Sequence, residues 1–575
     1  MHLRLLFILS FFPLLLWSQG LDLTGRISFR MQNVAYDENS EIKPDSISDD
    51  QYGKTYLVHG LQQYLNIALF GRTSNLDLTF LADLKNNEWN KLEARNLNRI
   101  SRLTLSMRIR SHEIIFGDFF ESLEESFIQS REIRGAKYQV QINDAFGSNS
   151  FVNFLGLGGV VEPAISEGDR LMDLYKQYET AGQYRRWLAS GALRLGHNST
   201  FNISLKYLWA KDDEGSIESS INEPLANRVT GGDVNFYLWN QNIRLFAEYL
   251  ISEKDTLTGQ TAEDKSYKGG FDFRYNTFKI LLYYQNIGYN YYSAGYPYLE
   301  NDRKGIRGQL AYAFPKVVSL FSDFESYQNN LDNMAYLPLT NTNIVDIGAT
   351  TFIPNWPEFT LIFGLRHDLS DEITDSDNNP VKIDKFTNKF EGRIGLNVSD
   401  TRMSFSTIYL DLDDQSLVSS GEVLGTDQLI SSLNLYTSSS MFFFMSGGAV
   451  YSRLNLSNGQ KNTNLYLYES NRWDFIPRML KLETTISFVI NKADEGGTQD
   501  MLSNYKQLNT EISLEYFFTN QASFKAIIGT DTKKFKYNTA QALEVITDPD
   551  YGPTYFNGNE SYNGLIFGGE FNLIF

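Results

Sequence analysis

The chain closes on a run in which every second position is apolar or glycine: Leu565, Phe567, Gly569, Phe571, Leu573 and Phe575. The interleaved residues, Ile566, Gly568, Glu570, Asn572 and Ile574, are mostly small or polar. Successive side chains of an extended chain point to opposite faces, so this run offers one face to lipid and the other to water. The same period recurs throughout. Leu103, Leu105, Met107 and Ile109 alternate with Thr104, Ser106, Arg108 and Arg110, while Phe201, Ile203, Leu205, Tyr207 and Trp209 alternate with Asn202, Ser204, Lys206, Leu208 and Ala210. Each segment reads as a strand with one apolar and one polar face.

The connections alternate in length, which fixes the topology. Short ones fall near Thr73 to Asn75, Ser111 to His112, Asn276 to Thr277, Pro315 to Lys316, Ser399 to Asp400 and Ser438 to Ser440. Long polar ones separate them, among them Tyr36 to Thr55, Asn86 to Asn98, Ser252 to Tyr267, Ser293 to Arg303, Ser370 to Lys385 and Tyr537 to Ser561. A meander built this way keeps all its tight turns at one end, the asymmetry of outer-membrane barrels. In hydrocarbon an open sheet edge strands backbone donors and acceptors, so the sheet must close on itself.

These observations predict an all-β fold: a single large transmembrane antiparallel up-and-down β-barrel of about 26 strands, within roughly 24 to 28, with short periplasmic turns and long extracellular loops. Residues 1–20 read as a signal peptide, with His2 and Arg4 before an apolar block from Leu5 to Trp17, and residues 21–575 as the barrel. Strand-like sequence starts at Leu23, which leaves no space for a separate plug domain ahead of the barrel. A barrel this wide is expected to be obstructed by inward-folded loops, crowded lumen side chains or a partner.

Composition agrees. The chain carries 34 tyrosines and 41 phenylalanines yet has a mean hydropathy of -0.32, the pairing expected of aromatic girdles around a wet interior. No window reaches about eighteen uninterrupted apolar residues, which excludes a helical membrane protein. The absence of cysteine excludes a lipid-modified cysteine and a disulfide framework. A net charge of -18 argues against nucleic acid, whose phosphates demand a basic surface.

The most unusual stretch is Gly117-Asp118-Phe119-Phe120-Glu121, followed by Glu124, Glu125, Arg131, Glu132, Arg134 and Gly135. Its carboxylates and guanidiniums are placed to pair where a strand ends, a loop passes and the next strand begins. Asp118, Glu121, Arg131 and Arg134 are therefore candidate lumen or constriction residues, together with Arg108, Arg110, Arg244, Arg274 and Arg393. The alternative is a salt-bridged loop folded against the inner wall. Mixed signs along the lumen knit a wall together more often than they form a selectivity ring.

This segment is similar to a Gly-Asp-Phe-aromatic-Glu, later Arg and Arg-Gly, arrangement in uncharacterised outer-membrane barrels of the Bacteroidetes. The resemblance covers some twenty residues and implies a cellular address, the Gram-negative outer membrane, without an activity.

Catalytic and metal chemistry have little support. His59, His112, His197 and His367 lack a spacing that picks out a nucleophile, so the chain is read as a non-enzyme. Asp371, Asp375, Asp377, Asn378 and Asn379 form an acidic cluster that, counted from Asp375, begins like a calcium loop, but Pro380 stands where such a loop needs glycine and Phe386 where it needs glutamate. No cofactor is expected. The tyrosines Tyr283, Tyr284, Tyr289, Tyr291, Tyr292, Tyr296 and Tyr298 read either as a sugar-stacking track or, preferably, as an interfacial girdle. The sequence therefore predicts a porin-like outer-membrane conduit for a polar solute or polymer. The rival is a non-conducting surface barrel serving as adhesin or assembly scaffold. Expected partners are outer-membrane lipid and lipopolysaccharide, a polar solute or glycan, and a periplasmic or surface protein, with no nucleic acid.

Overall fold

In the computed structural model the alternating segments pair into one sheet of 26 strands that closes on itself. The structure describes residues 22–38, 60–86, 100–165, 170–173, 176–179, 182–218, 220, 223–256, 261–332, 334, 337–374, 379–417, 425–440, 442–457, 459, 461–477, 479–493, 505–535 and 562–575. The proposed signal peptide, the loop Tyr36 to Thr55 beyond Glu38, and Asp375, Asp377 and Asn378 of the acidic cluster lie outside them. Each barrel strand is antiparallel to the strands before and after it in the chain, as a simple meander requires.

Closure joins the strand Asp22–Glu38 to the strand Tyr562–Ile574, with Arg30 opposite Glu570 and Phe29 opposite Phe571. Gly25 donates its N–H to the Phe575 carbonyl at 2.7 Å, and the Phe575 N–H returns to the Gly25 carbonyl at 3.0 Å. No edge is left at the seam, which removes the cost of unpaired backbone groups in hydrocarbon.

The two-residue period sorts side chains by face. Phe29, Phe571 and Phe524 form one cross-strand row and are all exposed on the outer wall. The next row, Arg30, Glu570 and Lys525, faces the lumen. Exposed rings of this kind gain about 25 cal/mol per Å² only when lipid replaces water around them. A closed barrel with such a wall is a protein of the Gram-negative outer membrane.

The tight turns gather at one end, as expected from the sequence. Arg110, Asn276, Lys316 and Ser399 take positive φ there (54°, 52°, 62° and 52°). Two connections differ from the sequence reading. Ser252 to Tyr267, read as a long loop, is mostly ladder: the strands Ile243–Thr256 and Thr261–Tyr275 continue past the bilayer, with Ser252 opposite Asp264 and Glu253 opposite Glu263. Beyond the lipid both faces are wet, so the apolar alternation stops although the hydrogen bonds do not. Ser438 to Ser440, read as a turn, belongs to the strand Thr426–Ser440, whose register shifts between Thr437 and Ser440 and so breaks the period.

Candidate functional site

One sector of the lumen wall breaks the polar rule. Phe119, Ile133, Leu155, Leu157, Leu188, Leu208, Ala210, Val229, Leu250 and Ile287 are apolar residues on the inward parity of successive strands, and all are buried. A greasy patch inside a wet bore must be covered. Two outer loops do this. Residues 122–130 and 288–302 fold into the barrel and place Phe127, Ile128, Tyr291 and Ala294 on the patch, each fully enclosed. Burying a large apolar side chain is worth roughly 1.5–3 kcal/mol, so these side chains suffice to hold two loops against solvent.

Hydrogen bonds interlock the loops with each other and with the wall. Tyr291 donates its hydroxyl to the Ser126 carbonyl at 2.7 Å and Ser293 donates to the Phe127 carbonyl at 2.5 Å. Gln129 N–H donates to the Gly295 carbonyl at 3.2 Å. From the wall, Ser252 donates to the Tyr292 carbonyl at 2.5 Å, Asn227 donates to the same carbonyl at 3.1 Å, and Ala294 N–H donates back to Asn227 Oδ1 at 2.9 Å. A Cβ on Gly295 would meet the Phe127 carbonyl at 2.4 Å, so this approach requires glycine.

Charges tie the loops down as well. Lys206, almost wholly buried on the wall, holds Asp233 at 2.7 Å, Glu248 at 3.0 Å and, from the inward loop, Glu124 at 3.8 Å. Lys268 approaches Glu125 of the same loop at 3.7 Å. Around the outer rim runs a second chain of ions: Arg131 to Glu162 at 3.0 Å, Glu162 to Arg186 at 3.0 Å, and Arg186 to Asp212 through two bonds of 2.7 and 2.9 Å. The register slips beside Arg186, which is opposite Glu162 while Trp187 is opposite Val160. That bulge turns Glu162 toward the lumen. Arg186 also reaches the Tyr292 hydroxyl at 3.5 Å. Burial pushes the Tyr291 hydroxyl above the ordinary tyrosine pKa, with the Glu248 carboxylate adding to the shift. Burial likewise raises Tyr292, in which the Glu162 charge assists and the Arg186 charge opposes.

The nine residues singled out from the sequence do not converge on one ring. Arg131 belongs to the rim chain, and Glu121 pairs with Lys137 at 2.8 Å on the inward parity. Asp118 and Arg134 pair at 2.5 Å but share the parity of Phe116 and Tyr138, which face outward. Their role is local. Gly117 has φ +99°, and the ladder to the strand Ile100–Ile109 stops there, opposite Thr104. The Asp118 carboxylate then accepts the orphaned Leu103 N–H at 2.7 Å while Thr104 donates to the Asp118 carbonyl at 2.6 Å. The Gly-Asp pair thus terminates a ladder and supplies the missing acceptor. Arg108 pairs with Glu113 at 3.0 Å, and Arg110 occupies a tight turn at the opposite end. Asp272 is clamped by Arg274 at 2.6 Å and Arg244 at 3.5 Å, and Glu391 is held by Arg393. The lumen is knitted by mixed charges, the arrangement its sequence favoured.

The tyrosine-rich segment also differs from its reading as a girdle. Tyr284 faces outward, but Tyr283 lines the lumen and Tyr291 is swallowed by the inward-folded loop. The residues that build the site, Ser126, Lys206, Asn227, Ser252 and Tyr291, were not singled out as a set. A signal for them exists: Leu208 and Ala210 occupy the polar parity of an otherwise regular strand. Apolar residues there announce a cover.

No family model matches the chain, and no curated protein matches it. Among solved structures it is similar to the siderophore receptor PirA from Pseudomonas aeruginosa, at 9% identity and a TM-score of 0.40 over 96% of this chain and 80% of that one. It is similar to the copper transporter OprC at 10% identity and a TM-score of 0.40, over 97% and 81%. A third likeness is to the E. coli P pilus tip assembly intermediate PapC-PapD-PapK-PapG, at 10% identity and a TM-score of 0.43, over 87% and 62%. At those scores the likenesses carry no functional argument. The closed sheet stands on its own hydrogen-bond ladder.

Proposed function

We propose that this protein is an outer-membrane conduit for a polar solute or polymer, its bore narrowed by its own outer loops. The observation that carries the reading is the two-loop cover, residues 122–130 and 288–302, built into the lumen on a wall patch that fits it. A scaffold that only displays outer loops has no need of an apolar landing site inside its barrel. Across the seam the wall keeps its water-facing character. Arg26, Ser28, Arg30, Tyr64, Asn66, Asp83, Arg102 and Glu570, together with Ile67, Ala68 and Leu81, border a recess of ≈ 600 Å³, whose polar part offers a path for a hydrated solute.

Planar-bilayer recording tests this. The purified barrel is expected to conduct weakly, and a variant in which residues 289–301 are replaced by a short Gly-Ser linker is expected to conduct in larger, steadier steps. If neither protein passes current although both are folded, the conduit reading fails and the non-conducting scaffold takes its place.

A further inference from the structure

The strand Lys461–Ile476 carries an anomaly on its outer wall. Along it Leu465, Leu467 and Trp473 face outward, and Tyr466, Tyr468 and Arg472 face the lumen. Glu469 shares the outward parity. Its cross-strand neighbours are Gly447 and Ile486, the latter 46% exposed on the outer wall, and Glu469 itself is exposed. It stands eight residues from Lys461 and seven from Ile476, whereas Trp473, packed against Phe443 at 5.7 Å, marks the level of the turn-side interface. At about 3.3 Å per residue and a strand tilt of roughly 40°, Glu469 lies some 10 Å further into the bilayer than Trp473. Among the described residues it is the one charged side chain on the outward parity more than four residues from both ends of its strand.

A lipid-facing carboxylate at that depth is costly and has no structural use. Among the described residues its one hydrogen-bond partner is Asn471, which donates to it at 2.7 Å from the same face and is itself buried. That bond satisfies part of one oxygen and holds the carboxylate in place without neutralising it. Beside it, Gly447 and then Ala449 put little or no side chain on the outer wall, and Gly447 is itself covered by its neighbours, so a partner meets the exposed Glu469 and not the glycine. A second copy of this chain is a poor occupant. With no outward cation at that depth among the described residues, two copies meeting face to face would oppose carboxylate to carboxylate.

We propose that the outer wall around Glu469, Gly447 and Asn471 is a lateral docking site for a different membrane protein, one presenting a lysine or arginine from a transmembrane segment. The partner cation neutralises Glu469, and Asn471 orients the carboxylate.

A photo-reactive side chain at Leu467, in the outward row next to Glu469, tests the proposal in the host's own outer membrane. The expected adduct joins this barrel to a transmembrane segment bearing an outward lysine or arginine. Its yield should fall at least roughly tenfold in both E469Q and the variant lacking that cation. Isolated E469L should fold into vesicles with at least the wild-type yield, since it removes a charge from the lipid face, so loss of the adduct is not loss of folding. Adducts to lipid alone, to a second copy of this chain, or to a segment without a cation overturn the proposal. So does an adduct that persists unchanged in E469Q.

Discussion

Tyr291 and Ser126 stand 165 positions apart in the chain, yet the hydroxyl of one donates to the carbonyl of the other at 2.7 Å in the interior of the barrel. This bond joins the two loops that cover the inner wall, and neither loop can leave without breaking it. Y291F deletes the donor and leaves a buried carbonyl short of a partner, at a cost of about 1 kcal/mol. Amide hydrogens of residues 288–302 are then expected to exchange roughly fivefold faster than in the parent, with the barrel ladder unchanged. Equal exchange rates would show that packing alone holds the loops.

Alkali should loosen the same contact. Because burial raises the Tyr291 pKa, the covered state binds the proton more tightly than the released state does. The stability this contributes is fully present below the ordinary tyrosine pKa of about 10 and is lost as pH climbs above it. Tyr292 shifts in the same direction. Conductance of the parent is expected to rise above about pH 10, and Y291F/Y292F, which lacks these two phenols, should show a clearly smaller rise.

Lys206 meets three carboxylates, those of Asp233, Glu248 and Glu124. K206M would leave Asp233 and Glu248 buried without their counter-ion, a loss of about 3–5 kcal/mol. Urea titration of the vesicle-embedded protein should show a clear drop in midpoint. The triple change K206M/D233N/E248Q should recover most of it, since no lone charge remains.

Gly117 is held in a backbone state that other residues rarely adopt, and an added Cβ would fall 1.8 Å from the Leu103 carbonyl. G117A is expected to destabilise the barrel by about 1–3 kcal/mol, read from the same urea titration. D118N should cost less, because an amide oxygen can still accept from Leu103 N–H while the pairing with Arg134 weakens.

The barrel was legible in the sequence because its two solvents impose a strict period of two, and runs such as Leu103 to Arg110 show it without interruption. Where both faces are wet, as at Glu253 and Glu263, that signal disappears and the strands look like loop. The inward cover was harder to read. Side-chain parity describes strands and says nothing about the path of Tyr289 to Asn301, and the hydrogen bonds that fix it come from Ser126, Asn227 and Ser252, residues that look ordinary in isolation. The Gly-Asp motif stood out for its composition, but its use, ending one ladder at Thr104 and replacing a lost acceptor, depends on a backbone angle that the sequence does not display.

Arg26 waits 546 residues for Asn572, because the early strand Asp22–Glu38 finds its second neighbour in Tyr562–Ile574. The cylinder is therefore sealed by a segment synthesised long after the one it joins. Until then the growing sheet has two raw margins that invite pairing with any other extended polypeptide. Transit through the periplasm before closure accordingly demands that both margins be shielded, and the pairing of the first strand with the last is the step that removes them together.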